Sequence, residues 1–236
     1  MEWFPLELPS KCQVYSDVLP ETVQIRTLQG KDEKLIAEMS LDNFDAKFSV
    51  LLKNIVKGIP DTKNLTMGDR LHIVLWEAIN SYSKDYPIKV TCSECLNEID
   101  VTVDLSSINV TQLPDGFVEP VSRKLSTGNV KLKLLRVADE IRIQEYEKAG
   151  KDSWLYRWAL SMVDDKQVWD RLPVLESMGV KDIAVIRAFQ EEFKHGPDMK
   201  CNYTCPKCGG VGETLIPFRI GLIFPYGNSL TRYFRG

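Results

Sequence analysis

The sequence predicts an α+β protein made of two related halves, each consisting of a strand, helices and a β-hairpin, with the second half largely helical. Three observations support this prediction. Short runs alternate polar and apolar residues as half-buried strands do, and longer stretches repeat apolar residues every three or four positions as amphipathic helices do. Two Cys-x-x-Cys pairs stand far apart, Cys92 with Cys95 and Cys205 with Cys208. The segments that precede these pairs also resemble each other.

The first half starts with an N-terminal arm, residues 1–19, followed by a predicted strand over residues 22–28. A helical start follows at Lys31. Apolar residues then recur at three- and four-residue spacing over residues 44–55, which predicts an amphipathic helix that ends before Gly58.

A second amphipathic helix is predicted from its N-terminus. Thr66 is a good N-cap, Asp69 follows three residues later, and an apolar stripe extends to Tyr82. Residues on both sides of the first cysteine pair alternate, which predicts a β-hairpin over residues 88–105 with the pair at its tip. Residues 106–120 are rich in turn formers and are predicted to connect the two halves.

The second half repeats this order with more helix. Helical apolar spacing recurs over residues 154–162, 168–175 and 181–193. The second cysteine pair follows, and residues 214–220 have the pattern of a strand. The tail, residues 221–236, carries many large apolar side chains, which predicts that it docks on the body or on a partner.

The same order of motifs occurs twice in the chain. Residues 23–36 and 130–143 share a strand pattern and an acidic helix start at an offset of 107, and the cysteine pairs are related by an offset of 113. We interpret this as a degenerate internal duplication, with chance similarity of two strand-helix segments as the alternative. The predicted halves are therefore residues 20–120 and 121–220, between the arm and the tail.

The cysteine pairs predict a metal site. A structural Zn²⁺ takes four thiolates in a tetrahedron, and each Cys-x-x-Cys turn supplies two of them. The expected ligands are Cys92, Cys95, Cys205 and Cys208, in a structural zinc-ribbon-like site that joins the two halves. Because four thiolates leave no open coordination position, the sequence predicts a structural zinc and not a catalytic one.

Two other residues could in principle be ligands of this site, Cys201 and His195. Cys201 could replace one of the four ligands, but its strand-like context favours a buried structural thiol. His195 could also bind a metal, but a histidine at a helix C-terminus more often interacts with the helix dipole. Cys12 has no assigned role.

Composition narrows the class of function. The chain has 236 residues, a formal net charge of −3 and a pI near 5.6, which argues against the clustered positive charge used to bind nucleic acid. Protein is therefore the expected partner. The chain has no leader pattern at its start and no run of the ~18 apolar residues that a membrane span requires. A reducing cytoplasm is the expected place of synthesis, and no membrane partner is expected.

Known catalytic signatures do not occur in the sequence. It contains no nucleophile elbow, no zinc-protease helix motif and no P-loop. With only two histidines, acid-base chemistry would depend on adjacent carboxylates such as Asp32-Glu33 and Asp139-Glu140. Neighbours in a helical sequence do not face each other, so these pairs are expected to serve helix starts. The sequence therefore predicts no catalytic residue and no enzyme.

An ordered set of motifs carries a family resemblance. The set consists of Leu8-Pro9-Ser10 with Tyr15, Val23-Gln24-Ile25-Arg26 with Lys31-Asp32-Glu33-Lys34-Leu35, Gly68-Asp69-Arg70-Leu71, and the first cysteine hairpin. In this order the motifs resemble the T4-type bacteriophage baseplate hub family over most of residues 8–143. The family pattern has a glycine where this chain has Cys12 and another near Ser83.

The resemblance implies a role in building a contractile phage tail, either as a subunit of the baseplate hub or as a hub-assembly chaperone absent from the finished virion. It implies other tail and baseplate hub proteins as partners, the host cytoplasm as the place of assembly and the virion tail baseplate as the final location. An oligomer is left open. The cysteine hairpins alone suggest a different class, a zinc-ribbon module that binds nucleic acid.

Overall fold

The structure, a computed structural model, describes residues 2–15, 22–40, 43–59 and 61–217. Within these ranges the chain is α+β, as predicted, with seven α-helices and small antiparallel sheets. Strands β1 to β11 are Phe4–Glu7, Thr22–Ile25, Val56–Lys57, Asp85–Thr91, Glu98–Asp104, Val110–Thr111, Val121–Leu125, Gly128–Leu132, Gly196–Pro197, Lys200–Thr204 and Val211–Leu215. Helices α1 to α7 are Gly30–Ala37, Phe44–Ile55, Met67–Glu77, Val137–Lys148, Trp154–Ser161, Val168–Ser177 and Val180–Glu192.

The first hydrophobic core joins distant parts of the chain. Strands β1, β2 and β3 form an antiparallel sheet in that order, and they share the core with α1, α2, α3 and the hairpin β4–β5. The hairpin β10–β11 contributes Tyr203 and Cys205 to the same core, and Ile216 directly after it is buried there too. The second cysteine hairpin therefore packs on the first half of the chain, although helices α4 to α7, which span residues 137–192, precede it.

The second hydrophobic core belongs to the helical part of the chain. It is built from the hairpin β7–β8 and helices α4 to α7, and its most deeply buried side chains include Leu132, Ile143, Ile186 and Phe189. None of the helices in the described ranges combines the length and low charge of a membrane-spanning helix. The two cores are distinct clusters of buried side chains.

Most predicted elements are present at the predicted positions. Helix α2 buries four apolar residues on one face, and α3 begins after Thr66, whose Oγ1 accepts the Asp69 N–H at 3.2 Å. The hairpin β4–β5 has the first cysteine pair at its tip. The predicted tail, residues 221–236, lies outside the described residues.

One strand prediction was wrong in its bounds, and one strand was not predicted. The strand expected over residues 214–220 is β11, which begins at Val211 directly after the cysteine turn and ends at Leu215, and residues 218–220 of that prediction lie outside the described residues. Pairing with β10 decides this register, because each hairpin strand must start where the turn ends. The hairpin strand β7 was not predicted at all, since its mixed basic and apolar residues leave only Leu125 buried.

The contacts that begin α1 recur at the start of α4. Arg26 donates to Asp32 through a buried ion pair with an N–O distance of 2.7 Å, and Lys133 donates to Asp139 at the equivalent place. The residues of the second pair follow those of the first by 107 positions, which is the offset found in the sequence. In each case, the aspartate also accepts a backbone N–H at the helix start, from Gln29 or its counterpart. The aspartates therefore cap their helices and pair with a cation from the preceding strand.

The N-terminus of α3 is the junction between the two parts of the chain. His195 Nε2 lies 2.7 Å from Thr66 Oγ1, and Val137 N–H donates to Leu65 O at 2.9 Å. A β-carbon placed on Gly68 would lie 2.3 Å from the His195 carbonyl oxygen. Only a residue without a side chain fits this contact, so glycine sets the distance between α3 and residues 195–197.

The turn around Cys12 explains one departure from the family pattern. Cys12 has φ +56°, in the left-handed region that glycine adopts most easily. The resemblance expects a glycine at this position, and the backbone keeps the conformation that a glycine would take. Cys12 is also buried in the first core, so its side chain gains packing that a glycine would lack.

Replacement of Gly196 by alanine should loosen this junction. Gly196 has φ +102°, and its β-carbon would lie 2.6 Å from the Gly68 α-carbon, so we expect Gly196→Ala to lower the free energy of unfolding by about 2 to 4 kcal/mol. Gly150→Ala is the matched control, because Gly150 has φ +74° but open space around it, and should cost only about 1 kcal/mol. Urea unfolding of both variants tests this; equal losses would contradict it.

The buried Glu77 should make stability depend on pH. Its carboxylate accepts a hydrogen bond from Ser81 at 2.7 Å, and burial raises the pKa of Glu77 to about 8, above an unfolded value of about 4.3. The folded chain therefore holds the proton more tightly. This contribution to stability is complete below about pH 4.3 and is lost as the pH rises to 8, by up to about 1.4 kcal/mol per pH unit.

We expect Glu77→Gln to remove this dependence. The unfolding free energy of the variant minus that of the parent should increase as the pH rises from about 5 to 8, because only the parent loses the contribution of the buried proton. Urea unfolding at several pH values measures it. The exposed Glu176→Gln is the control and should give a curve parallel to the parent's. A parallel curve for Glu77→Gln itself would count against the burial argument.

Candidate metal centre

Two hairpins with matching turns form the candidate metal centre. In the first, Cys92 N–H donates to Asn97 O at 2.9 Å and Leu96 N–H donates to Cys92 O at 3.0 Å. In the second, Cys205 N–H donates to Gly210 O at 2.8 Å, and Gly209 N–H donates back to Cys205 O at 2.9 Å. The equivalent residues are related by the sequence offset of 113. Each turn therefore presents its two thiols in the same way.

The turns also share one left-handed residue directly after the second cysteine. This residue is Gly209, with φ +75°, in the second turn and Leu96, with φ +55°, in the first. Glycine adopts this conformation without a steric penalty, whereas leucine does so at a cost of about 1 kcal/mol. Leu96 is three-quarters exposed, so packing of its side chain does not impose the conformation. The left-handed conformation of Leu96 is imposed by closure of the cysteine turn, in which the Leu96 N–H donates to Cys92 O.

The four sulfur atoms form one compact group. The Sγ atoms of Cys92, Cys95, Cys205 and Cys208 all lie within 4.8 Å of one another. Two of these separations cross between the hairpins, at 3.7 Å from Cys92 to Cys208 and 3.7 Å from Cys95 to Cys205. A tetrahedral ion with metal–sulfur bonds of about 2.3 Å places its sulfurs about 3.8 Å apart. A disulfide needs about 2.05 Å, so the spacing fits a metal and not a pair of disulfides.

Close packing of the two hairpins brings the sulfurs together. Tyr203 on β10 is buried, and its hydroxyl oxygen accepts the Ser93 N–H of the first turn at 3.2 Å. A β-carbon on Gly212, the register partner of Tyr203, would lie 2.5 Å from that hydroxyl. On the other turn, a β-carbon on Gly210 would lie 2.8 Å from the Glu94 carboxylate. The two glycines therefore leave the room that this contact needs.

Backbone groups and neighbouring thiols affect the protonation of the cluster. The Cys208 N–H, helped by the Lys207 N–H, lowers the pKa of Cys205 to about 7. The Gly210 N–H acts to lower the pKa of Cys208, but the thiols around it and burial raise that pKa to about 12. Four thiolates at this spacing repel one another, so part of the cluster keeps its protons in the absence of a cation. A divalent cation that binds here displaces those protons.

The structure separates the four clustered cysteines from the other residues weighed as ligands. Cys201 lies on β10 opposite Thr214 and outside the thiol group, and burial raises the pKa of its thiol. His195 is bonded to Thr66, and its Nδ1 lies 2.9 Å from the Phe193 carbonyl oxygen at the end of α7. Neither alternative ligand reaches the cluster.

The sequence reasoning missed the residues that support the cluster. These residues are Tyr203, Gly210 and Gly212. The positions of the two glycines in the hairpin were a signal that could have been read. Glycine next to a cysteine turn and glycine within a strand both indicate close approach by another group. Which group approaches could not be read from the sequence, because the first hairpin lies more than 100 residues away.

Comparison with known proteins identifies the family of the chain. The profile described as "T4 bacteriophage base plate protein" matches residues 3–224, which include both cysteine hairpins and the helical segment between them. The chain belongs to this T4 base plate protein family. No significant match was found among the curated proteins or the solved structures. The family resemblance predicted from the N-terminal motifs is confirmed and extends over nearly the whole chain.

Membership in the T4 base plate protein family supports a structural or assembly role in the phage baseplate. It also implies contacts with other baseplate proteins and a place in the virion baseplate. Within the described residues, the four-thiol group adds a site that could hold a metal ion. The geometry offers a cross-link between two parts of the chain and no open coordination position for a substrate.

Loss of one clustered thiol should abolish metal binding and destabilise the chain. Cys205→Ser leaves three thiols, so we expect the metal content to fall from one ion per chain towards none. We also expect stability to fall by several kcal/mol, since binding free energy at a structural site is folding free energy. Cys201→Ser, outside the group, is the control. Metal analysis and thermal unfolding report both quantities; full metal content in Cys205→Ser would contradict the assignment.

Proposed function

We propose that the chain is a non-enzymatic structural or assembly protein of the baseplate hub in a contractile phage tail. The family match over residues 3–224 is the observation that carries this proposal. The proposal is more specific than the family description, because it selects the hub and a role in protein contacts. The N-terminal motifs that resemble hub proteins support that choice, and they lie in buried structure: Leu8 and Ser10 are fully buried.

We further propose that the cluster binds one structural Zn²⁺ through Cys92, Cys95, Cys205 and Cys208. Zinc favours four thiolates in a tetrahedron, and the sulfur spacing fits that arrangement. The ion would neutralise the repulsion between thiolates and hold the two hairpins together. It supplies no catalysis in this coordination.

The proposed zinc-ribbon-like site joins two related halves of a duplicated chain. The repeated ion pairs at α1 and α4 and the repeated cysteine turns support the duplication, because each set of contacts recurs at its own sequence offset. The boundaries at residues 20, 121 and 220 remain predictions from the sequence. In this proposal the zinc holds the hairpin of the first half and the hairpin that ends the second half in one orientation on the first core, and a rigid surface faces the partner.

The proposed partners are other tail and baseplate hub proteins. Assembly would take place in the host cytoplasm, and the finished protein would reside in the virion tail baseplate. The hub-assembly chaperone is the alternative form of the same role, in which the chain leaves before the virion is complete. Both forms depend on protein contacts and require no catalytic residue.

The composition of finished tails tests this proposal. Quantitative mass spectrometry of purified tails should find the chain in a fixed ratio to other baseplate proteins, and phage that lack its gene should stop at an incomplete hub. Absence from finished tails together with the same assembly defect would replace the subunit by the chaperone. Normal infectious tails from phage without the gene would overturn the proposal in both forms.

A further inference from the structure

A cleft lies between the two cysteine hairpins, on the outer edges of β5 and β10. It has a volume of about 410 Å³, and its walls include residues 101–104 of β5 and residues 200–202 of β10. Asp198 and Asn109 line one end. Among the described strands, β5 pairs only with β4, and β10 pairs only with β11. Within the part of the chain that the structure describes, the edges of β5 and β10 that face the cleft therefore have no strand partner.

The residues that line the cleft show that it follows strand edges. Successive side chains of a strand point to opposite faces, so a pocket on the face of a sheet is lined by alternate residues. Here consecutive residues line the walls, four on β5 and three on β10. The cleft therefore runs along the backbones of the two strands.

The hydrogen-bond register determines which backbone groups point into the cleft. At the two ends of the hairpin β4–β5, the Leu105 N–H donates to Lys84 O at 2.8 Å and the Cys92 N–H donates to Asn97 O at 2.9 Å. In an antiparallel ladder, every second residue exchanges backbone hydrogen bonds with the partner strand, and the residues between point their backbone groups the other way. The bonds at the two ends place Thr102 among the latter, so its N–H and C=O face away from β4.

The same reasoning applies to β10. Cys205 N–H bonds to Gly210 and Ile216 N–H bonds to Met199 O at 2.8 Å, so the backbone groups of Asn202 face away from β11. The Lys200 N–H already donates to Asp198 O at 2.8 Å. The Asn202 N–H and C=O and the Lys200 C=O are thus the groups that β10 presents to an added strand.

The charge of the cleft selects the kind of strand that fits. Asp104 and Asp198 stand on its walls, and exposed Asp100 continues the acidic edge of β5. Among the described residues that line the walls, Lys200 is the one basic residue, and it is already paired with Glu213 at 2.7 Å. Asp104 lies 3.7 Å from Lys84 in an exposed ion pair that solvent screens, and a hydrogen bond from Ser106 lowers the pKa of Asp104, so this carboxylate keeps its charge. The cleft is therefore acidic, and a basic segment complements it.

The two faces of the cleft differ in polarity. Val103 is buried and Cys201 is half-buried on the side of the core, whereas Thr102 and Asn202 are exposed on the other side. An added strand would place alternate side chains on these two faces. Apolar residues would therefore point to the core side, and basic residues would point to the solvent side beside the aspartates.

We propose that this cleft binds an extended basic segment of a partner protein, which adds a strand between β5 and β10 and joins the two hairpins into one sheet. Main-chain hydrogen bonds to the two free edges would provide affinity, and the aspartates would select basic residues that alternate with apolar ones. This inference rests on the proposed assembly role and deepens it, because it names the surface and the chemistry of the contact.

Binding of synthetic peptides to the full chain tests the inference. The probe is a peptide of about seven residues, close to the length of an average strand, that alternates arginine and valine. Its partner probe alternates glutamate and valine. We expect the basic peptide to bind, as measured by fluorescence anisotropy, and the acidic peptide not to bind. Equal binding of both peptides, or no binding of the basic one, would overturn the proposal.

Proline variants locate the binding edge. Asn202→Pro and Thr102→Pro each remove an N–H that points into the cleft and not into a hairpin ladder, so we expect each to weaken the basic peptide at least about tenfold. Leu215→Pro is the matched control, because the Leu215 N–H faces the opposite edge of the second hairpin. Equal weakening by Leu215→Pro, or none by the two cleft variants, would contradict the proposal.

A charge variant and metal analysis complete the test. Asp198→Lys should weaken the basic peptide without a change in the metal content of the chain, since Asp198 lies outside the thiol group. Unchanged affinity in Asp198→Lys would contradict the proposed charge attraction and so the proposal that the partner segment is basic. Because these measurements use the isolated chain, a negative result leaves the baseplate role to be judged on tail composition alone.

Discussion

The contact between the two cysteine hairpins is the constraint on which much of the structure depends. Each hairpin is a two-stranded sheet, and such a sheet is marginal without a surface to cover its apolar face. The second hairpin packs on the first core, where the Tyr203 hydroxyl accepts a hydrogen bond from the first cysteine turn. This packing brings four thiols within 4.8 Å. Since thiolates at that distance repel one another, the hairpins and a bound cation would stabilise each other.

The N-terminus of α3 is a second point at which distant segments meet. Thr66 caps the helix and contacts His195, while the Asp69 carboxylate accepts hydrogen bonds from the Ser10 N–H and the Tyr15 hydroxyl. Burial is the main cause that raises the pKa of Tyr15 well above its ordinary value, and the neighbouring Asp69 raises it further. The phenol therefore stays protonated and donates its hydrogen bond to Asp69. One helix start thus binds both the N-terminal segment and the chain that leads to the second hairpin.

These two junctions suit a protein whose work is to hold a surface in place. The first orients the hairpins, and the second orients the helical core relative to them. Family membership supports a baseplate role, where subunits must meet in defined orientations. The acidic cleft between β5 and β10 depends directly on the first junction, because the separation of its two strand edges follows from how the hairpins pack. Metal binding and partner binding would therefore be linked through the same contact.

Local patterns in the sequence were sufficient for the elements and for the identity of the clustered residues. The spacing of Phe48, Leu52 and Ile55 specifies a buried helix face, and the Thr66 cap specifies where α3 begins, because helix periodicity and capping involve residues within a few positions of each other. The two Cys-x-x-Cys turns likewise specify pairs of thiols that point the same way.

Only the tertiary structure decided which surfaces these elements share. The second hairpin follows the helical segment in sequence but belongs to the core of the first half, and no local pattern encodes that choice. The strand β7 went unrecognised for a related reason, since its stability comes from pairing with β8 and not from its own composition. The cleft edges on Thr102 and Asn202 likewise depend on strand pairing, because among the described strands β5 pairs only with β4 and β10 only with β11. Sequence determined the turns that present the thiols, and long-range packing decided that the thiols meet.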